Sequence, residues 1–175
     1  MSKDPIIIAG AARTPVGGFQ GSLATASASK LGAIAISAAV ERSGIKSDHI
    51  DEVIMGCVLS AGQGQAPARQ AALSAGLSLN AGCTTVNKMC GSGMKSVMLA
   101  HDMIIAGTGR TIVAGGQESM SNAPYLLPKA RKGYRLGHSE VVDHMFLDGL
   151  EDAYERGTLM GEFAEQCALH YNFSR

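Results

Sequence analysis

The sequence has 175 residues, of which 46% are hydrophobic and 17% are charged, a balance typical of a globular chain and not of a disordered one. Its 15 basic and 15 acidic side chains give no net charge, so electrostatics does not favour nucleic acid or an anionic membrane as a partner. No segment approaches the roughly 18 to 20 continuous apolar residues that span a bilayer, and the first apolar run is too short for a secretory signal. We therefore expect a cytoplasmic protein, with an organelle matrix as the alternative.

The beginning of the chain combines a short apolar run with a helical pattern. Residues 6–9, with the sequence IIIA, end at a glycine and are typical of a buried strand in a parallel sheet. A small-residue loop over about 13–28 then leads to a helix that Ser29 can cap and that Gly44 ends. The spacing predicts one apolar face for this helix, formed by Leu31, Ile34, Ala35, Ala38 and Ala39.

Strands and helices then alternate along the chain. Apolar or β-branched runs predict three strands, at 53–55, 84–86 and 111–114. Between them, Pro67 and Gly76 bound a short helix, and a long helix runs from Cys90 to Gly107. Because strand and helix alternate three times, the sequence predicts an α/β fold with a mainly parallel sheet, right-handed crossovers and helices on both faces.

The pattern changes after Ser121. Prolines at 124 and 128, a basic cluster over 129–132 and helical patterns at 141–147 and 161–170 indicate an excursion from the sheet. The basic cluster is compatible with a phosphate partner and equally with an ordinary charged loop. We therefore expect one domain over 1–121 and the start of a second over 122–175.

Cys90 carries the strongest chemical signal. It lies between a β-branched run and Gly91-Ser92-Gly93, where the long helix begins. Free backbone N–H groups and the positive end of the helix dipole favour a thiolate there, and the two glycines leave room for a bulky thioester. A structural thiol is the alternative, because cysteine is among the most buried residue types. The four cysteines show no Cys-x-x-Cys pair, which favours free thiols over a zinc site or a disulfide framework.

The helix after Cys90 has apolar residues around nearly its whole circumference, which predicts that it is buried on all sides. These residues are Met94, Val97, Met98, Leu99, Ala100, Met103, Ile104 and Ile105. A single sheet covers only one side of such a helix. Without further cover we therefore expect a large exposed apolar patch and a tendency to associate.

Three other motifs are weaker evidence of a functional site. Residues 91–96 resemble a phosphate-binding loop, but Met94 stands where the Walker pattern needs glycine. The Gly-Gln-Gly at 62–64 lacks the third small residue and the leading strand of a dinucleotide fingerprint. A solvated polar face explains one acidic and histidine cluster better than a metal site does, because nothing else completes a ligand set; the cluster comprises His138, Glu140, Asp143 and His144.

Four strings together resemble the thiolase family, of the acetyl-CoA acetyltransferase type, in order and spacing over essentially the whole chain. They are AARTPVG at 11–17, GQAPARQ at 64–70, NKMCGSG at 87–93 and GGQESMS at 115–121. The resemblance implies a thiolase-like N-terminal half followed by the beginning of the loop domain that binds coenzyme A.

The resemblance also implies a reaction and its residues. Cys90 matches the nucleophile that becomes acetylated, with its backbone N–H in an oxyanion hole, and Met160 matches a residue that packs over the acyl group. The implied enzyme of fatty acid metabolism interconverts two acetyl-CoA with acetoacetyl-CoA and coenzyme A, or thiolyses 3-ketoacyl-CoA. Coenzyme A and acetyl-CoA are then substrates, no cofactor is covalently held, no metal takes part, and the full-length protein is a homodimer or homotetramer.

Some features of the family are not matched. Its first sheet is completed by a strand supplied after the loop domain, and a second half carries a Gly-His-Pro histidine and an acid/base cysteine. None of the histidines here lies in such a context; they are His49, His101, His138, His144 and His170. Leu159 stands where many acetoacetyl-specific members have histidine, which leaves the acyl chain length open. We therefore expect a truncated chain that is inactive alone.

Three alternatives remain at this stage. The first is a 3-ketoacyl-CoA thiolase of broader chain length. A ketoacyl synthase shares the fold, but the NKMCGSG string argues against it. A non-catalytic fragment that only associates with other subunits is the third alternative.

Overall fold

The computed structural model describes residues 5–175, which divide into two compact units, one ending at Asn122 and the other running from Ala123 to Arg175. Among these residues, no helix is both long and apolar enough to cross a membrane. The second unit pairs two short antiparallel strands, with Tyr125 opposite Asp143. In chain order it comprises β4 (Tyr125–Leu126), a 3-10 turn (Ala130–Lys132), β5 (Val142–Asp143), a π-helical turn (Phe146–Leu150) and α4 (Met160–Tyr171).

The first unit contains three strands and three long helices. In chain order these are α1 (Ala28–Ser43), β1 (Glu52–Gly56), α2 (Pro67–Ser74), β2 (Gly82–Val86), α3 (Ser92–Ala106) and β3 (Ile112–Gly116). Two 3-10 turns, Ser47–His49 and Met120–Asn122, complete it. Pro67 occupies the first turn of α2, and Gly44 ends α1 in a left-handed conformation with φ of 69°, as their positions in the sequence predict.

The sheet of this unit is parallel, in the order β2-β1-β3. Val53 in the central strand pairs with Cys83 on one side and Val113 on the other. Val53 and Met55 point to the face covered by α2 and α1, where they join the buried core, while α3 packs across the opposite face. The predicted α/β fold with helices on both faces of a parallel sheet is therefore confirmed.

The predicted strand at 6–9 is wrong. These residues pair with none of the five described strands, and Ile7 and Ile8 are 74% and 83% exposed. An apolar run becomes a strand only when a neighbouring backbone satisfies its N–H and C=O groups, and this run has no such neighbour within residues 5–175.

Two details of α1 also differ from the prediction. Its N-cap is Ser27, which accepts a hydrogen bond from the Lys30 N–H at 3.2 Å, whereas Ser29 is buried and donates to Pro67 O at 3.3 Å. The buried face is rotated from the predicted one, so that Ile34 is 54% exposed. Small residues explain this rotation because they let α1 and α2 approach closely; the buried face consists of Ala28, Ser29, Gly32, Ala33 and Ile36.

The long helix α3 is not buried on all sides. Its buried stripe consists of Ser92, Ser96 and Ala100, at the i, i+4, i+8 spacing of one helix face. The opposite face is exposed and carries Met94, Val97, Met98 and Ile105. The expectation that one sheet would leave an apolar patch uncovered is confirmed, because the sheet contacts a single stripe of the helix.

Candidate active site

An open cleft of about 290 Å³ lies at the carboxyl ends of β1 and β3, against the beginning of α3. Parallel α/β sheets bind their ligands at this edge, because the strands end there together and the helices that follow begin there. The lining residues come from three segments of the first unit and are Gly56, Val58, Met89, Cys90, Ser92, Gly93, Gly116, Gln117 and Glu118.

Cys90 lies in this cleft and is exposed. The first helical residue of α3 is Ser92 and the N-cap is Gly91, so Cys90 precedes the helix and does not belong to its first turn as the sequence suggests. The flanking amides are occupied, since the Met89 N–H donates to Asn87 Oδ1 at 2.9 Å and the Gly91 N–H donates to Lys88 O at 3.2 Å. Within residues 5–175 the Cys90 N–H has no such partner, which leaves it available to an oxygen atom in the cleft.

The backbone turns sharply just before Cys90. Met89 has φ of 50°, a left-handed conformation that is unfavourable for a residue with a side chain. The Ser92 hydroxyl, on a residue only 5% exposed, holds this turn because it accepts from the Lys88 N–H at 2.8 Å and donates to Met89 O at 2.5 Å. The turn thus places Cys90 among the residues that line the cleft.

Replacing Ser92 by alanine is expected to relax this turn. The variant loses two partly buried hydrogen bonds, so the free energy of unfolding should fall by about 1–2 kcal/mol and the rate of Cys90 alkylation by iodoacetamide should fall with it. Ser96→Ala is the matched control, because Ser96 is buried one turn further along α3 and its hydroxyl lies 2.7 Å from Gly115 O. An equal loss of Cys90 reactivity in both variants would contradict a specific role for Ser92.

Close backbone contact places the beginning of α3 at the end of β1. A Cβ atom on Gly56 would lie 2.6 Å from the Ser92 carbonyl carbon and 2.7 Å from the Gly93 nitrogen. Only glycine allows this approach, because a methyl group would meet main-chain atoms that have no rotamer to change. Gly56 therefore sets the distance between the sheet and the Cys90 turn.

Glu118 follows β3 and crosses to the residues after β1. Its carboxylate accepts the N–H groups of Val58 at 2.8 Å and Leu59 at 3.0 Å, and one of its oxygens lies 3.4 Å from the Cys57 sulfur. Cys57 is buried, and this burial, together with the negative charge of Glu118, raises the pKa of its thiol to about 11. The cleft is thus bordered by a second thiol that stays protonated at neutral pH.

Sequence reasoning identified Cys90 but assigned no role to Gly56, Ser92 or Glu118. Glu118 lies within the GGQESMS string, where an acidic residue just after a predicted strand was the available signal. The sequence around Glu118 does not indicate which residues it binds, because Val58 and Leu59 are 60 and 59 residues away.

The remaining candidate residues lie in the second unit. Met160 is the first residue of α4 and is 41% exposed, and its role over an acyl group stays a prediction. The proposed solvated polar face is wrong for His144, which is only 5% exposed and has its Nδ1 atom 2.6 Å from Asp148 Oδ2. Over residues 5–175, no three histidine, cysteine or acidic side chains converge as a metal site would require.

Comparisons with known proteins agree on one family. The model "Thiolase, N-terminal domain" matches residues 6–175. Acetyl-CoA acetyltransferase of Cupriavidus necator is 52% identical over 97% of this chain and 43% of its own length, and acetyl-CoA acetyltransferase of Schizosaccharomyces pombe is 51% identical over 100% and 44%. The crystal structure of Acat5 thiolase from Ascaris suum in complex with coenzyme A superposes with a TM-score of 0.88, at 39% identity, over 95% of this chain and 43% of that one. The chain thus spans 43–44% of the length of these proteins.

Proposed function

Because this chain belongs to the thiolase family, we propose that Cys90 is the nucleophile that accepts an acetyl group from a coenzyme A thioester. The observation that carries this proposal is the position of Cys90 at the sheet edge where α/β proteins bind ligands. Its thiol is exposed, and its backbone N–H has no partner among the described residues. The relatives named acetyl-CoA acetyltransferase, and the solved thiolase with bound coenzyme A, supply the substrate class.

The proposed step exchanges one thioester for another. The Cys90 thiolate attacks the carbonyl carbon of acetyl-CoA, the carbon–sulfur bond to coenzyme A breaks, and coenzyme A leaves as a thiolate that takes up the proton lost by Cys90. The negative charge that develops on the carbonyl oxygen would be stabilised by the Cys90 N–H, which has no hydrogen-bond partner among residues 5–175. The product is an acetyl-cysteine, which divides a difficult carbon–carbon reaction into two easier steps.

In the whole enzyme, the acetyl group would pass to a second acetyl-CoA to give acetoacetyl-CoA, or arise from thiolysis of a 3-ketoacyl-CoA. We propose that residues 1–121 form the catalytic α/β domain and that 122–175 begin the loop domain for coenzyme A, with Met160 against the acyl group. We further propose that the whole enzyme is a homodimer or homotetramer. It would lie in the cytoplasm or an organelle matrix and act in fatty acid metabolism.

We also propose that residues 1–175 alone do not catalyse the complete thiolase reaction. The residues that line the Cys90 cleft in the described part of the chain include no histidine and no second cysteine to move protons during carbon–carbon bond formation. The acetyl transfer itself needs only the thiolate, an oxyanion donor and a good leaving group. The chain should therefore accept an acetyl group without completing a catalytic cycle.

A single-turnover experiment tests the proposed function. The chain is incubated with acetyl-CoA at mildly alkaline pH, and the modified residue is located by peptide mapping with mass spectrometry. We expect one acetyl group on Cys90, and prior treatment with acetyl-CoA should protect Cys90 from iodoacetamide. Acetylation spread equally over Cys90 and the exposed Cys167, or faster alkylation of Cys57 or Cys83 than of Cys90, would overturn the assignment.

A further inference from the structure

One carboxylate contacts each of the first three residues after β1, beside the Cys90 cleft. Glu118 contacts three consecutive residues, through the N–H groups of Val58 and Leu59 and the thiol of Cys57. Val58 and Glu118 themselves line the cleft. One carboxylate therefore connects the segments after β1 and β3, which form adjoining parts of the cleft wall.

Cys57 lies next to this wall and is a potential competitor of Cys90. It follows Gly56, a lining residue, and is 2% exposed. Its sulfur lies between Glu118 Oε1 at 3.4 Å and Gln63 Nε2 at 3.2 Å. Among the described residues, Glu118 is the ionisable side chain that hydrogen-bonds to Cys57, and because it is negative it opposes a second negative charge on the sulfur.

The chemistry of Gln63 and Glu118 determines the direction in which the Cys57 thiol donates its hydrogen bond. The Gln63 amide is a donor that also gives a hydrogen bond to Leu59 O at 2.6 Å, whereas the Glu118 carboxylate only accepts. The Cys57 S–H group therefore points to Glu118, and its sulfur accepts from Gln63. In this state Cys57 has no thiolate with which to attack a thioester.

We propose that Glu118 is a positioning residue, whose carboxylate fixes the segment Cys57-Val58-Leu59, of which Val58 lines the cleft, and holds the Cys57 proton, so that acyl transfer is confined to Cys90. This inference rests on the proposed role of Cys90 as acyl acceptor. It concerns a different residue and a different observable, the ionisation of Cys57.

The central test follows the thiolate of Cys57 directly. In a chain with Cys83, Cys90 and Cys167 replaced by alanine, thiolate absorbance is titrated with and without Glu118→Gln, and the spectrum of the cysteine-free chain is subtracted. The pKa of the Cys57 thiol should be about 11 with Glu118 present and should fall in the Gln variant. At a pH below both values, the thiolate population should rise about tenfold for each unit of that fall. An unchanged titration would overturn the proposal.

Labelling in the chain with all four cysteines separates this effect from unfolding. We expect Glu118→Gln to raise the rate of Cys57 alkylation relative to Cys90 about tenfold, while half-buried Cys83 keeps its wild-type rate. Glu52→Gln is the matched control, because Glu52 begins β1 and accepts a hydrogen bond from the Thr84 hydroxyl at 2.9 Å, at the other end of the strand. Equal acceleration of Cys57 and Cys83, or the same change in Glu52→Gln, would show general opening and contradict the proposal.

The two proposals fail in different ways. If wild-type Cys90 takes no acetyl group from acetyl-CoA, the proposed function is wrong, and the Cys57 titration still decides what Glu118 does to that thiol. Alternatively, Cys90 is acetylated in the wild type, but Glu118→Gln neither changes the Cys57 thiolate population nor places an acetyl group on Cys57. In that case the proposed function is supported and the proposed role of Glu118 is wrong.

Discussion

Replacing Cys90 by alanine is expected to abolish acetyl transfer from acetyl-CoA to this chain, with a loss of at least about a hundredfold in the rate of incorporation. The reason is that Cys90 combines exposure, the strained turn at Met89 and a backbone N–H that no group within residues 5–175 accepts from, whereas Cys57 is buried and held as a neutral thiol. The measurement is the rise of the acetylated species with time by intact-mass spectrometry.

Cys167→Ala is the control for this experiment. Cys167 is also exposed, but it lies inside α4, with no strained turn before it and no helix N-terminus beside it. This variant should acetylate at the wild-type rate, because exposure alone does not activate a thiol. If Cys167→Ala lost as much acetylation as Cys90→Ala, simple accessibility would explain the modification.

Replacing Gly56 by alanine is expected to destabilise the first unit by about 3 kcal/mol, a large part of the stability of a small domain. The new Cβ would lie 2.6 Å from the Ser92 carbonyl carbon, so α3 must move away from β1 or the strand must shift. Either movement displaces the Cys90 turn. Urea unfolding should show a lower midpoint, and folded protein at low urea should alkylate Cys90 more slowly.

Gly116→Ala provides a close comparison. Gly116 pairs with Gly56 across the β1–β3 ladder and also lines the cleft. A Cβ there would lie 3.4 Å from the Gly93 Cα and 3.5 Å from Gly56 O, which is ordinary contact. We expect a change below about 1 kcal/mol, helped by the reduced freedom of alanine in the unfolded chain. Equal destabilisation by the two substitutions would show that close backbone approach is not what makes Gly56 necessary.

Proline and glycine at helix ends, and the alternation of strand and helix patterns, were sufficient to predict much of the fold. Pro67, Gly44 and Gly107 lie where predicted because proline at a helix start and glycine in a left-handed cap act through their own backbone. The three strands were found because each contains a short apolar or β-branched run between turn residues. Such effects are local, so one sequence is enough to predict them.

The errors concern contacts between distant residues. Residues 6–9 have strand composition but no described partner. The buried face of α1 depends on distant residues, because Gly32 lies against the Gln117 side chain and Ser29 donates a hydrogen bond to Pro67 O. In the site, Cys90 could be predicted from its neighbours. Glu118 could not be given a role, because it follows β3 whereas the residues it binds follow β1, the strand that pairs with β3.

The cleft around Cys90 is walled largely by main chain, since Gly56, Gly93 and Gly116 all line it. Glycine is the smallest residue, so every substitution at these three positions adds atoms to the wall. Variation there can narrow the recess but never widen it. Among the lining residues, widening by a shorter hydrophobic side chain is possible at Val58 and Met89.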